Sequence, residues 1–367
     1  MTPPTEAGTR ERLTQMDSET AAALNELKEH TRNRREEWSI FLGAGATAAL
    51  GYPTMVALVD QLKASLDVGK SEDNLISKVI AALTESCTRT GRSLNIEEVL
   101  PDLYQLVDML EGKPTLRITY GESLQVDSGV ANNAIQKIKN LCKEQYQQPP
   151  TGAVIVEFLS YWMSAYRVLH IFTTNWDKAV EYACDEIQAS EKYDVRLCDG
   201  FKGYEALVFN AGLYAENLPD ERLEDVRVVN LYKLHGSVDW HLRSTPGPGR
   251  NIRCSIPGVD DDVMIFPTPR KHGEILGPPY LELHRLLADA LERTSKYVLA
   301  VGTSFPDAHI NTVLASALRQ STFNLFVVNP NLSKSEIETK LSIPSPRIHS
   351  PIRLGFEQLV KELTKRT

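Results

Sequence analysis

Trp38-Ser39-Ile40-Phe41-Leu42-Gly43-Ala44-Gly45-Ala46-Thr47-Ala48 is a short apolar run that drops straight into a glycine turn. A run of this length closed by glycine predicts a buried strand. Pro53 can open the helix that follows, and Val56, Leu58, Val59, Leu62 and Leu66 supply its apolar stripe.

Further along, the same alternation returns. Val168-Leu169-His170-Ile171-Phe172 predicts a strand running into Thr173-Thr174-Asn175-Trp176-Asp177, with a helix over 178–187. Residues 226–234 predict a strand entering His235-Gly236-Ser237, and 263–266 a shorter one. A helix over 281–293 precedes a strand at 297–301 that enters Gly302-Thr303-Ser304. A helix at 310–318, a strand at 325–328 ending in Asn329-Pro330, and a helix at 356–363 complete the series. Short apolar strands alternating with helices predict an α/β fold, a Rossmann-like doubly wound parallel sheet covered on both faces.

Two regions stand apart from this alternation. Residues 18–37 have helical periodicity on a thin apolar face of Ala22, Leu24 and Leu27, which predicts a surface or interface helix behind a polar tail. Residues from about 70 to 150 carry three helical stripes: Ile76, Val79, Ile80 and Leu83; Val99, Leu103, Leu106, Val107 and Leu110; Ile135, Ile138 and Leu141. They predict a helical insertion closed by Pro149-Pro150. The domain reading is a tail and helix over 1–37, then one domain over 38–367 that contains the insertion.

The bulk properties narrow the class. The chain has 367 residues, 42% hydrophobic and 24% charged, with a formal net charge of -8. That balance argues against nucleic-acid binding through overall charge. Its five cysteines, Cys87, Cys142, Cys184, Cys198 and Cys254, form no C-x-x-C pair, so neither a disulfide scaffold nor a zinc site is expected. Cys184 and Cys198 are expected to be reduced thiols in or near the core. The polar start lacks a secretory signal, and no apolar run reaches the ~18 residues of a membrane span. A reducing cytoplasm is the expected compartment. No G-x-x-x-x-G-K-[ST] loop occurs, so the chain is not itself a P-loop ATPase.

In a doubly wound sheet, ligands bind beyond the carboxyl ends of the strands. Four polar or glycine-bearing clusters fall there: Gly43 to Thr47, Thr173 to Asp177, His235 to Ser237, and Gly302 to Ser304, with Asn329 after the last strand. Gly43-Ala44-Gly45-Ala46-Thr47-Ala48 fits G-x-G-x-x-[GA] between strand and helix, a pattern that serves pyrophosphate binding or simply a tight turn. Asp60 and Asp67 fall on a helix and make poor ribose-binding acids, which weakens a hydride-transfer reading. His235 ends an apolar strand ahead of a glycine, so its ring can be a general base in the crevice or a structural imidazole. Asn175 and Asp177 can cap the next helix or hold a ligand.

Taken in order, G-A-G-A-T, T-N-W-D, L-H-G-S, G-T-S-F-P-D and V-V-N-P resemble the sirtuin fold, and most of all the sirtuin-like domains of bacterial anti-phage defence systems. The resemblance spans about residues 38–330. It implies that Gly43, Ala44, Gly45 and Thr47 cradle the phosphates of NAD. It implies that Asn175 orients the water or ribose, that Asp177 meets the nicotinamide carboxamide, and that His235 is the base. Gly302, Thr303 and Ser304 would follow the adenosine half, and Asn329 the adenine ribose.

The departures carry as much weight. Deacetylating sirtuins have G-I-P-D-F-R after the first motif, where this chain has Gly51-Tyr52-Pro53-Thr54-Met55-Val56. They also have two C-x-x-C zinc pairs, where this chain has only Cys254 between His235 and Tyr297. No metal is expected on this reading. A sirtuin-like site without an acyl acceptor hydrolyses NAD, with deacylation and non-catalytic sensing of NAD or ADP-ribose as the rival readings. Unregulated hydrolysis would deplete the host, so the resemblance implies control through a homo-oligomer or a HerA-type ATPase partner.

Overall fold

The computed structural model describes residues 16–32, 37–67, 69–120, 122–203, 207–216, 224–243, 250–253, 261–266, 277 and 279–365. Cys254 and most of the expected tail lie outside them. Six parallel strands form the central sheet. They are β1 (Trp38–Leu42), β2 (Val168–Thr173), β3 (Asp194–Cys198), β4 (Val226–Lys233), β5 (Tyr297–Val301) and β6 (Asn324–Val328). The sheet order is β6-β5-β1-β2-β4-β3. The chain therefore leaves β1 toward β2 and later returns to its other side as β5, which makes β1 the switch point of the sheet.

Side-chain alternation builds the two cores. Ile40 and Leu42 of β1 join Ile171, Leu231, Leu299 and Val301 on one face. Phe41 joins Phe172, Tyr232, Val298 and Ala300 on the other. Every residue of β1 is buried, which is why it reads as an unbroken apolar run. Its one polar side chain, Ser39, is matched by a 2.6 Å hydrogen bond to Ser295. The first face is covered by the insertion and by helices Val154–Ala165, Ala179–Ala189 and Phe356–Thr364. Helices Tyr280–Asp289, Ala308–Ala317 and Lys334–Leu341 cover the second. This is the expected α/β, Rossmann-like architecture.

Several expectations change in detail. The N-terminal helix, Ser18–Arg32, is part of the core, with Ala23, Leu24 and Leu27 buried and Ala22 exposed. Thr31 ties it to helix Val154–Ala165 and its C-cap, bonding the hydroxyl of Tyr161 and accepting through its carbonyl from that of Tyr166. The insertion holds the three expected helices, Ser71–Arg89, Ile96–Leu110 and Ser128–Gln147, and also an antiparallel hairpin, Leu116–Tyr120 with Glu122–Val126. β3 and helix Lys334–Leu341 were not expected. Nor was a second, antiparallel sheet of Asp261–Met264, Gly236–Arg243, Arg250–Arg253, Leu207–Phe209 and Phe201–Lys202, in that order. Among the described residues, no helix is long and apolar enough to cross a membrane.

Candidate active site

A cleft of about 330 Å³ opens beyond the carboxyl ends of the strands around β1, at the low end of the ~300–1,000 Å³ range of small-molecule sites. Four strand ends wall it: Gly43, Ala44, Gly45 and Thr47 after β1; Thr174, Asn175 and Trp176 after β2; His235 after β4; Gly302, Thr303 and Ser304 after β5. Asp177 and Asn329 do not reach its wall.

The glycines pack the turn after β1 against the end of β5. Gly43 N–H donates to Val301 O at 2.9 Å, and Gly45 N–H to Gly302 O at 2.8 Å. A Cβ on Gly43 would lie 2.7 Å from Gly302 O, and one on Gly302 would lie 2.1 Å from Ala46 N. Close approach of backbone to backbone by itself requires glycine here. Gly302 also sits at φ +67°. Gly302→Ala therefore forces a left-handed alanine, worth about 1–2 kcal/mol, into a space already filled. A clear fall in urea midpoint is the expected outcome; an unchanged midpoint would refute the interlock.

Asn175 is held by its own side chain. Its Nδ2 donates to Gly43 O at 3.0 Å and to Thr47 Oγ1 at 3.2 Å. Its backbone N–H donates to Thr173 Oγ1, which donates in turn to Leu42 O. Because Gly43 O only accepts, the amide nitrogen must face it. Asn175 thus locks the β2 loop to the β1 loop, and the group it has left to offer a water is Oδ1.

Asp177 lies under the floor. Its Oδ1 accepts from Ala179 N–H at 3.0 Å, an i to i+2 bond made one residue ahead of Lys178, the N-cap of helix Ala179–Ala189. Burial pushes its carboxyl up, against the pull of Lys233. Asn329 is likewise a brace, with Nδ2 donating to Thr303 O at 2.9 Å. The Thr303 hydroxyl accepts from Phe305 N–H, and Phe305 holds φ +54°.

His235 occupies the tight turn between β4 and Gly236–Arg243, where Gly236 takes φ +79°. Backbone bonds fix this turn: Leu234 N–H to Thr173 O at 2.8 Å, and Ile265 N–H to His235 O at 2.9 Å. The ring is buried, and its Nε2 lies 3.9 Å from Asp307 Oδ2. Asp307 also lines the cleft, so an imidazolium formed there would have a carboxylate beside it. Sequence reading quoted Asp307 but assigned it no role.

Sequence reading also missed two other contributions. Lys233, only 1% exposed, donates through Nζ to Asp177 O (2.6 Å), Glu181 Oε1 (2.9 Å) and Ser237 Oγ (2.7 Å). It thus joins the loop after β2 to the turn that carries His235. From the insertion, Asn95, Glu97 and Tyr146 line the cleft, with Tyr146 donating to Pro53 O and packing edge-on to Trp176. Thr54, Met55 and Val56, which stand where deacetylases have an acid and a Phe-Arg pair, line it too. No described cysteine does. Burial pushes the Cys142 thiol up to about 12, far from a nucleophile's range.

Residues 169–342 match the family model described as a SIR2-like domain. The match starts inside β2 and takes in Asn175, His235, Gly302 to Ser304 and Asn329, a little under half of the chain. It leaves out β1 with its glycine turn and the insertion. It supports a sirtuin-like family and an NAD-related activity in general. No curated protein matches the chain.

Proposed function

We propose that this chain hydrolyses the nicotinamide–ribose bond of cytoplasmic NAD, giving nicotinamide and ADP-ribose. One observation carries the reading: Asn175 and His235 share a cleft with the glycine turn after β1 and the Gly302 to Ser304 loop, at the switch point of the sheet. The pyridinium leaves as neutral nicotinamide, taking the electrons of the broken C–N bond. Water adds to the anomeric carbon from the face that Asn175 Oδ1 can hold. Its proton passes to His235, beside Asp307, and then to solvent.

The crowding of the cleft by Asn95, Glu97 and Tyr146 favours water over an acyl-lysine peptide as acceptor. The biological setting proposed is NAD depletion in anti-phage defence, restrained by homo-oligomer assembly or by a HerA-type ATPase. Incubation of the purified chain with NAD, alone and with a candidate ATPase, should release nicotinamide and ADP-ribose in equal amounts. O-acetyl-ADP-ribose from an acetyl-peptide reaction would transfer the assignment to a deacylase. Binding of NAD with no cleavage in any arm would leave a sensor.

A further inference from the structure

We propose that His235, which lines the cleft, forms with His284 and His309 a binding site for a divalent transition-metal ion. One ligand atom from each ring lies within 4.8 Å of the other two. Zinc–imidazole bonds of about 2.0–2.1 Å place tetrahedral donors about 3.3 Å apart, so small side-chain rotations close the set. The ring centroids of His284 and His309 are 4.8 Å apart, and those of His235 and His309 are 6.0 Å apart.

Three further observations point the same way. His284 Nδ1 lies 2.9 Å from Tyr280 O, which only accepts. Nδ1 therefore carries the proton and the lone pair sits on Nε2, the arrangement that supporting hydrogen bonds give to metal-binding histidines. Asp307 Oδ2, 3.9 Å from His235 Nε2, adds a negative charge beside the cluster. The three rings stand on separate rigid pieces: the turn after β4, helix Tyr280–Asp289 and the first turn of helix Ala308–Ala317. Imidazole is a favoured ligand for zinc, cobalt and nickel. Three imidazoles leave a tetrahedral ion one open position. This departs from the metal-free reading of the sequence, where the three histidines share no ligand spacing.

Cobalt(II) is the probe. Titrated into the full chain, it should bind once per chain and give the intense visible bands of a four-coordinate nitrogen site, and zinc should abolish them. His284→Gln and His309→Gln, tested separately, should each weaken binding at least as much as the roughly 10- to 100-fold that loss of a mere supporting hydrogen bond costs. Circular dichroism checks that each variant is folded, and the wild-type titration stands without them. Absence of the bands, or wild-type cobalt affinity retained in both folded variants, overturns the site.

One consequence rests on the reading of His235 as base. An ion that holds His235 takes its lone pair, so zinc should suppress nicotinamide release. Release that persists in protein whose cobalt has been displaced by zinc overturns the claim that His235 is a ligand. A chain that never cleaves NAD defeats the proposed function and leaves the spectrum to decide the metal site.

Discussion

His235→Ala should lower the rate of nicotinamide release about 10²- to 10⁴-fold, the usual contribution of a general base. The loss should appear in kcat, because the side chain is proposed to act on a proton in flight and not on the dinucleotide at rest. The fold should survive. The turn around residue 235 is held by Leu234 N–H to Thr173 O and Ile265 N–H to His235 O, backbone bonds that alanine keeps. Asp307→Asn removes only the charge beside the ring and should cost less than the loss of the base. Nicotinamide release and circular dichroism on both variants check this pair of results. Unchanged turnover in folded His235→Ala protein sinks the assignment of the base. An Asp307→Asn loss larger than that of His235→Ala would make the carboxylate the principal group.

The parts legible in the sequence are those where one physical rule acts alone. β1 is buried on both sides, so five consecutive core positions announce it. The strand-end clusters are legible because a parallel sheet puts function at one edge. What stayed hidden depends on contacts between distant segments. Lys233 interrupts an apolar run and looks like a stray polar residue until Asp177, Glu181 and Ser237 arrive around it. The phase of the N-terminal helix was read one residue off, at Ala22 instead of Ala23, because a short apolar stripe tolerates both. The alternation of Leu116-Arg117-Ile118-Thr119-Tyr120 was present but lay among helical stripes. The glycines were found, but the partner that forces them is Gly302, on another strand end. His284 and His309 join His235 only after three separate elements pack.

Lys233→Met should lower folding stability by about 3–5 kcal/mol at neutral pH, the cost of removing one partner of a buried ion pair. The ammonium is 1% exposed, and the Glu181 side chain 10%. Burial by itself would lower the Lys233 pKa, but Glu181, Asp239 and Asp177 outweigh it and the net shift is upward. The ammonium therefore stays charged, and its stabilisation persists below 10.5 and fades only as pH rises through the higher folded value. Burial pushes the Glu181 carboxyl up from 4.5, with Lys233 pulling the other way. Without Lys233 that pull is gone, and the carboxyl rises further. A raised carboxyl favours the folded state below 4.5 and loses that benefit as pH climbs through its folded value. The deficit of Lys233→Met should accordingly shrink as pH falls from neutral toward 4.5, when each urea midpoint is compared with the wild type at the same pH. His349, held low by burial, acts on both proteins alike and cancels in that comparison. Replacing both partners, Lys233→Met with Glu181→Leu, should recover part of the loss, since apolar packing can substitute for a buried pair. Nicotinamide release should not recover with it, because the tie from the β2 loop to the His235 turn runs through Nζ to Asp177 O and Ser237 Oγ. A double variant that regained both would reduce Lys233 to a packing residue and leave the two loops to be aligned by their other ties, Ser237 Oγ and Val238 N–H to Trp176 O among them.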